Sequence, residues 1–405
     1  PRYHARNVAL KLGELTGARV VLGSATPDVV TYHRAETGQI SRVELATRLA
    51  PSEDGNVTEG TLPSVQVVDM REELRAGNRS MFSRALRQAV REALAAGEQA
   101  ILFVNRRGSA RFVLCRDCGF LPLCPSCEVA MSLDAEASIH AMLRCHHCGR
   151  TKRLEERCAN CDSLRYRPFG VGTQRVEAEA RAVFRGARVA RWDSDTARTR
   201  DAHERMVAAL EAGQIDIVVG TQLLAKGLDL ERLTVVGVVD ADVGLSLPDY
   251  RAAERTYQLL SQVAGRAGRR DRPGRVYIQT YEPEAPPIVA AAEHDYRGFY
   301  ESEIAHRRRA GYPPFSRIAR LVYRHHDEAA GLEEASRVAR ELRVLRDAAG
   351  RAEPEILGPT RPFIPRVRGE LRWQILLRGR APGRLIGQVR LGERWQVDID
   401  PASLL

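Results

Sequence analysis

Hydrophobic positions along this chain switch repeatedly between helical spacing and short unbroken runs. The spacing over 86–96 predicts an amphipathic helix, and the run 99–104 (QAILFV) that follows predicts a buried strand. That strand ends in the polar loop Asn105, Arg106, Arg107, Gly108. Further on the alternation resumes. We expect a helix within 172–184, a strand at 189–192, a helix over 201–212 and a buried strand at 215–219. A glycine-bounded loop at 220–227 (GTQLLAKG) comes next, then a β run at 234–240 leading into Asp240 and Asp242, a helix over 250–264 and a strand at 275–280. Strands alternating with helices predict a doubly wound α/β sheet, with ligand contacts at the carboxyl ends of the strands. After 282–287 (EPEAPP) the order changes: helices come first, then β runs at 318–323, 373–377 and 395–399, with a helix over 332–348. That reads as a separate α+β domain.

One stretch interrupts the α/β pattern. It carries all eight cysteines of the chain, as four C-x2-C pairs: Cys115/Cys118, Cys124/Cys127, Cys145/Cys148 and Cys158/Cys161. Two intervening residues let both thiolates face one metal from a tight knuckle, and two pairs complete a tetrahedral four-thiolate site. Eight ligands therefore predict two zinc ions. A disulfide framework fits less well, because no secretory signal is present and the rest of this long chain has no cysteine. His140, His146 and His147 are alternative ligands, but with eight thiolates at hand they read as bystanders. Spacing leaves the pairing open. Sequential pairing keeps the loops short; nested pairing suits an insertion whose ends leave and re-enter the host domain side by side.

Charge narrows the partner class. With 62 Lys+Arg against 52 Asp+Glu the formal net charge is +10, which favours a polyanion such as nucleic acid. Only Lys11, Lys152 and Lys226 are lysines, a bias that a GC-rich genome produces by itself, so the charge carries less weight than its size. No apolar run is long enough for a membrane-spanning helix. In 262–269 (QVAGRAGR), Gln262, Arg266 and Arg269 are expected at i, i+4 and i+7 on one helical face, with Gly265 and Gly268 removing bulk beside the arginines. Arginines so displayed suit a clamp on a triphosphate, and a solvated basic helix end is the plainer alternative.

These motifs together resemble a known family. Residues 23–26 (GSAT) are similar to motif III of superfamily 2 helicases, 102–108 (LFVNRRG) to motif IV, and 220–227 to motif V. Asp69, Met70 and Arg71 with Gly77 and Asn78 resemble the start of a second motor lobe. Residues 248–255 (PDYRAAER) and 262–269 look like the lead-in to motif VI and motif VI itself. The cysteine insertion lies between motifs IV and V, and 312–315 (YPPF) and 372–377 (RWQILL) resemble C-terminal signatures. The chain is identified by this resemblance with the C-terminal part of the primosomal protein N-prime (PriA) family of replication-restart DNA helicases.

The resemblance implies the end of a first helicase lobe at 1–50 and a RecA-like second lobe at 51–112 and 164–282. It further implies a two-zinc insertion at 113–163 and a C-terminal α+β domain at 283–405. It implies ATP-dependent 3′-to-5′ unwinding in replication restart, with Arg266 and Arg269 reaching the ATP phosphates and Gln262 sensing the nucleotide. Thr221, Gln222 and Arg106 would contact DNA, and Gly227 and Asp229 would sit at the lobe interface on the nucleotide side. Nested pairing is implied too: Cys115, Cys118, Cys158 and Cys161 on one zinc, Cys124, Cys127, Cys145 and Cys148 on the other. Tyr3 and His4 resemble the tail of an aromatic-rich loop that couples DNA contact to hydrolysis. Expected partners are forked and single-stranded DNA, single-strand-binding protein and other primosome proteins; the expected state is a monomer in the cytoplasm, associated with the nucleoid. ATP and Mg²⁺ are cofactors expected of a longer parent. This chain opens on Pro1 and contains no G-x-x-x-x-G-K-[ST] phosphate loop and no acidic partner motif for Mg²⁺. Asp327-Glu328 reads as a helix cap instead. Whether the gene product is itself short or belongs to a longer parent, the 405 residues are thus expected to be inactive alone, and a non-catalytic zinc scaffold that binds DNA and recruits primosome partners is the competing reading.

Overall fold

The computed structural model describes residues 4–45, 49–51, 57–59, 62–105, 112–133, 141–169, 172–193, 196, 199–221, 230–267 and 274–405. The alternating segment forms a six-stranded sheet in the order Val189–Trp192, Ile217–Gly220, Gln99–Phe103, Leu233–Val238, Arg275–Thr280, Ser64–Asp69. Every neighbouring pair runs parallel. Gln99–Phe103 lies inside the sheet, and its side chains alternate between two cores. Ala100 and Leu102 pack with Leu86, Val90 and Val176 on one face, while Ile101 and Phe103 pack with Leu210, Tyr257 and Leu260 on the other. A strand covered on both faces has no solvent side, which is why its apolar run is unbroken.

The Arg84–Ala95 helix starts where Ser83 accepts a hydrogen bond from the Leu86 amide at 3.1 Å, and Ser83 N donates in turn to Gln279 Oε1 at 2.7 Å. Its cap thereby fixes it to the Arg275–Thr280 strand. Close packing sets the other side: a Cβ on Gly237 would come within 2.7 Å of Leu86 Cδ1, so Gly237→Ala would force the buried Leu86 side chain to shift. The Ser64–Asp69 edge strand and the module strands below were not among the elements expected from the sequence.

The insertion leaves the sheet after Gln99–Phe103 and returns before the Thr173–Val183 helix. It is an antiparallel sheet in the order Thr151–Arg153, Met142–Arg144, Ser132–Leu133, Phe112–Cys115, Tyr166–Phe169. Phe112 lies opposite Phe169, so the insertion's first and last strands pair with each other at its root.

In the C-terminal domain the antiparallel order is Glu355–Thr360, Glu370–Gly379, Arg317–His325, Trp395–Ile399. The Glu328–Ala348 helix lays Ala335, Val338, Ala339 and Leu342 on this sheet, against Leu321, Ile375 and Leu377. It begins four residues before the expected 332 because Asp327 caps it, accepting from Ala330 N at 2.8 Å. Near the N-terminus, the Ala5–Thr16 helix buries no residue, whereas Val29–Glu36 docks on Tyr296–Ala310. There Tyr32 meets Tyr296 and Tyr300 edge-on, and His33 Nδ1 lies 2.8 Å from Tyr300 Oη.

Candidate metal centre and helicase motif residues

Four knuckles with one backbone geometry hold the cysteines. In each, the amide four residues after the first cysteine donates to that cysteine's carbonyl: Gly119 to Cys115, Glu128 to Cys124, Gly149 to Cys145 and Asp162 to Cys158, at 2.8–3.0 Å. Each first cysteine then donates its own amide one residue further on, to the carbonyls of Phe120, Val129, Arg150 and Ser163. The turn needs a left-handed residue at the fourth position, and Gly119, Glu128, Gly149 and Asp162 have φ between 51° and 82°. The two glycines are the signal that sequence reading passed over; Glu128 and Asp162 gave none.

The knuckles gather in two groups. Cys115, Cys118, Cys158 and Cys161 form one, Cys124, Cys127, Cys145 and Cys148 the other, with all sulfurs of a group within 4.8 Å of one another. Cys115 and Cys161 Sγ are 3.6 Å apart, Cys118 and Cys158 3.6 Å, and Cys124 and Cys148 3.7 Å. A tetrahedral ion with bonds of about 2.3 Å requires sulfurs about 3.8 Å apart, so the donor sets fit. Their protons conflict otherwise. Hydrogen bonds from Cys127, Cys145 and Cys148 favour the Cys124 thiolate, and the same contact pushes the Cys127 thiol far up. A dication lets all four sulfurs ionise together. Both tetrads are therefore compatible with one metal ion each. The second is the more buried; in the first, Cys161 is exposed.

Neither described histidine of the insertion joins a tetrad. His146 Nε2 lies 2.6 Å from Ser132 Oγ, and His147 Nε2 lies 3.0 Å from Pro248 O. Burial pushes the His147 ring down to about 4, so it is neutral and its Nε2 donates to that carbonyl. His140 lies outside the described residues.

Among the described residues, Asn105, Thr221 and Asp240 lie at the carboxyl edge of the parallel sheet. Thr221 follows Ile217–Gly220 there, its amide 3.4 Å from Trp192 O. Asn105 and Asp240, at the ends of adjacent strands, are buried, and each carries an oxygen without a partner among the described residues. Burial, then the charge of Asp242, raises Asp240 to about 7. Asp242 itself is satisfied by Thr280 Oγ1 at 2.7 Å and the Tyr281 amide at 2.9 Å.

Gln262 is exposed on the Ala252–Ala264 helix, and Arg266 is half-buried just beyond it. The expected single helical face ends at Ala264, because the backbone then tightens: Arg266 N bonds Val263 O at 3.1 Å and Ala267 N bonds Ala264 O at 3.1 Å, three residues back rather than four. Thr26 O accepts from Gln258 Nε2 of this helix at 3.3 Å, which brings the GSAT segment to it. Arg106, Gln222, Gly227, Asp229, Arg269 and Tyr3 lie outside the described residues.

Sequence reading missed the network behind this helix. Glu254, fully buried, takes Arg251 Nη2 at 2.7 Å and Arg307 Nη2 at 2.6 Å, and Arg307 Nε reaches Glu303 at 2.7 Å. Arg307 opens the run of three arginines 307–309 at the end of the Tyr296–Ala310 helix, yet it points inward and is 0 % exposed. Asp249 accepts from Arg255 Nη1 at 2.8 Å, Ser403 Oγ at 3.0 Å and the Leu404 amide at 3.0 Å. Charges separated by 53 residues in sequence leave no local pattern to read.

A parallel nucleotide-binding-type sheet with motif segments on its carboxyl edge, carrying a two-tetrad cysteine insertion, defines a helicase-type second lobe. The helicase conserved C-terminal domain model matches residues 169–271, and the primosomal protein N C-terminal domain model matches 308–402. The chain is 44% identical over 378 residues to the replication restart protein PriA of Bacillus subtilis, covering 93% of this chain and 45% of that protein. It is 39% identical over 416 residues to PriA of Synechocystis, covering 100% of this chain and 49% of that protein. It belongs to the PriA family and spans about half the length of the curated relatives it matches. The C-terminal domain of the DEAD-box protein Dbp5 is similar at 11% identity and a TM-score of 0.29, over 58% of this chain and 86% of that one, too slight a likeness to bear on the argument.

Proposed function

We propose that the chain forms the second motor lobe, zinc module and C-terminal domain of an ATP-dependent 3′-to-5′ DNA helicase that restarts replication at stalled forks. The observation that carries this reading is the insertion of two cysteine tetrads into a helicase-type lobe, between the Gln99–Phe103 strand and the Thr173–Val183 helix. Each tetrad would hold a zinc ion. A closed four-thiolate site has no open coordination position, so the ion supplies folding free energy rather than reaction chemistry. Arg266 and Arg269 would stabilise charge on the transferring phosphoryl group from across the lobe cleft, with Gln262 beside them on the nucleotide side. Thr221, Gln222 and Arg106, at or after strand ends of the sheet, would track the DNA backbone, and Gly227 and Asp229 would line the lobe interface. DNA and primosome proteins are the partners this reading requires, and the protein would act as a soluble monomer with the nucleoid.

The reading divides labour within the motor. Phosphoryl transfer needs a phosphate cradle, a held Mg²⁺ and charge stabilisation from the opposite side. This sequence contains only the last, so the 405 residues alone would neither hydrolyse ATP nor unwind DNA. DNA-stimulated ATP hydrolysis by a parent protein with an upstream phosphate loop, lost when Arg266 becomes Ala, is the experiment that tests the motor. A parent that binds forked DNA and recruits partners with no ATPase at all would establish the scaffold reading instead.

A further inference from the structure

The second tetrad is enclosed by more than its own lobe. Cys127 O accepts a hydrogen bond from Tyr312 Oη at 2.7 Å, and Tyr312 opens the C-terminal domain just after the Tyr296–Ala310 helix. His147, between Cys145 and Cys148, lies with its Nδ1 3.4 Å from Tyr312 Oη and donates from Nε2 to Pro248 O, in the segment that leads into the Ala252–Ala264 helix. The carbonyl of His146 accepts from Gln374 Nε2 at 2.5 Å, on the Glu370–Gly379 strand of the C-terminal sheet. Gly149 packs on the same domain, where an added Cβ would come within 3.3 Å of Thr360. The knuckle 145–149 thus touches the insertion, the motor lobe and the C-terminal domain at once. Tyr312 closes the arrangement by stacking on Tyr250, ring centroids 5.2 Å apart and planes 19° from parallel.

The first tetrad is placed differently. From outside the insertion, the described bonds to its knuckle carbonyls come from the motor lobe, Arg71 on Cys118 O at 3.3 Å and Arg75 on Asp117 O at 3.0 Å. Its Cys161 faces solvent.

We propose that the Cys124, Cys127, Cys145, Cys148 tetrad is an intramolecular joint, in which a bound ion holds the 145–149 knuckle and the knuckle fastens the C-terminal domain to the helix that leads into Gln262 and Arg266. The joint rests on the reading that this tetrad holds a metal. A closed thiolate site sets the conformation of its knuckles, and loss of the ion frees them. Once the knuckle moves, Pro248 O and Tyr312 Oη lose their buried partners, and each unpaired group opposes the packed arrangement. The two ions therefore act on different parts of the molecule, the second on the placement of the C-terminal domain, the first on the root of the insertion, where its knuckle meets Arg71 and Arg75.

Hydrogen–deuterium exchange on the full chain tests this, with metal content measured on the same samples. Cys145→Ser should lose one ion and raise exchange, on the order of tenfold, at amides 249–252 and at Leu404, far from the module. Cys161→Ser should lose one ion and raise exchange only within the first tetrad's knuckles. Tyr312→Phe keeps every sulfur, so it should retain both ions yet still raise exchange at 249–252 and Leu404. Equal loosening of those amides by Cys161→Ser and Cys145→Ser would overturn the joint, as would Tyr312→Phe leaving them unchanged. Starting protein without metal would sink the ion reading by itself, and the Tyr312→Phe samples would still decide whether the knuckle fastens the domains.

Discussion

Replacing Arg307 with Met isolates the buried charge network behind the motif VI helix. Arg307 and Glu254 are both sealed from solvent, 2.6 Å apart, and Glu303 lies 2.7 Å from the same guanidinium. Methionine restores much of the volume but leaves Glu303 with no cation among its described hydrogen bonds and Glu254 with Arg251 alone. Removing one partner of a buried pair costs about 3–5 kcal/mol, most of it the price of the stranded charge. The cost must depend on pH. Burial raises Glu303 above the usual carboxylate range even with Arg307 present, while Arg251 and Arg307 together outweigh burial at Glu254 and hold it low. Without Arg307 both groups shift upward. The folded variant then keeps protons that the unfolded chain has released, so its stability falls as pH rises above the unfolded carboxylate value. Intact Glu254 works in the opposite sense: its contribution is present above the unfolded value and disappears as pH falls through its low folded one. The gap between parent and variant should therefore widen between about pH 5 and pH 8, by about 1.4 kcal/mol for each unit by which the carboxyls shift. Thermal melts followed by circular dichroism at both pH values measure it. At pH 8 the variant should melt several degrees lower, on the order of 5–10 °C, and the difference should shrink at pH 5. A loss of equal size at both pH values would refute the electrostatic account and leave only lost packing. In the double variant Arg307→Met, Glu303→Gln, which removes the carboxylate left without a cation and keeps the Arg251–Glu254 pair, much of the pH 8 loss should return.

Two further outcomes follow from the motor reading. In a full-length parent, Arg266→Ala or Arg269→Ala should slow ATP hydrolysis on the order of 10³-fold or more while metal content and DNA affinity stay nearly unchanged, and the isolated chain should show no DNA-stimulated hydrolysis. Binding of the chain to forked or single-stranded DNA should weaken steeply with salt, in a linear log–log relation whose slope counts the phosphates neutralised; titrations at several salt concentrations measure it, and a flat dependence would exclude backbone charge as the main attraction.

How much of this was legible in the sequence depends on the range of each interaction. The C-x2-C spacing is local, and so is the unbroken run 99–104; both announced their structures directly. Asp327 was readable as a cap because a cap acts three residues away. The Ser64–Asp69 edge strand was passed over, and it takes its place only through its pairing with Arg275–Thr280, far along the chain. His147 was readable only as a metal-ligand candidate or a bystander, and its bond to Pro248 O, 101 residues away, has no sequence signature. Arg307 looks like its neighbours Arg308 and Arg309 in composition; only the helix's rotation against Glu254 distinguishes it. The end of the motif VI helix at Ala264 was likewise hidden, since glycines at 265 and 268 permit either a continuing helix or a tightened turn.

Whether each cysteine tetrad in this helicase lobe holds a zinc ion is read from elemental mass spectrometry of freshly purified, reduced chain. Two zinc ions per chain are expected, falling to one in Cys145→Ser with Cys115, Cys118, Cys158 and Cys161 still holding theirs, and with zinc–sulfur distances of about 2.3 Å by X-ray absorption. One zinc or none in the unsubstituted chain, or the loss of both ions on the single substitution, would exclude two independent four-thiolate sites.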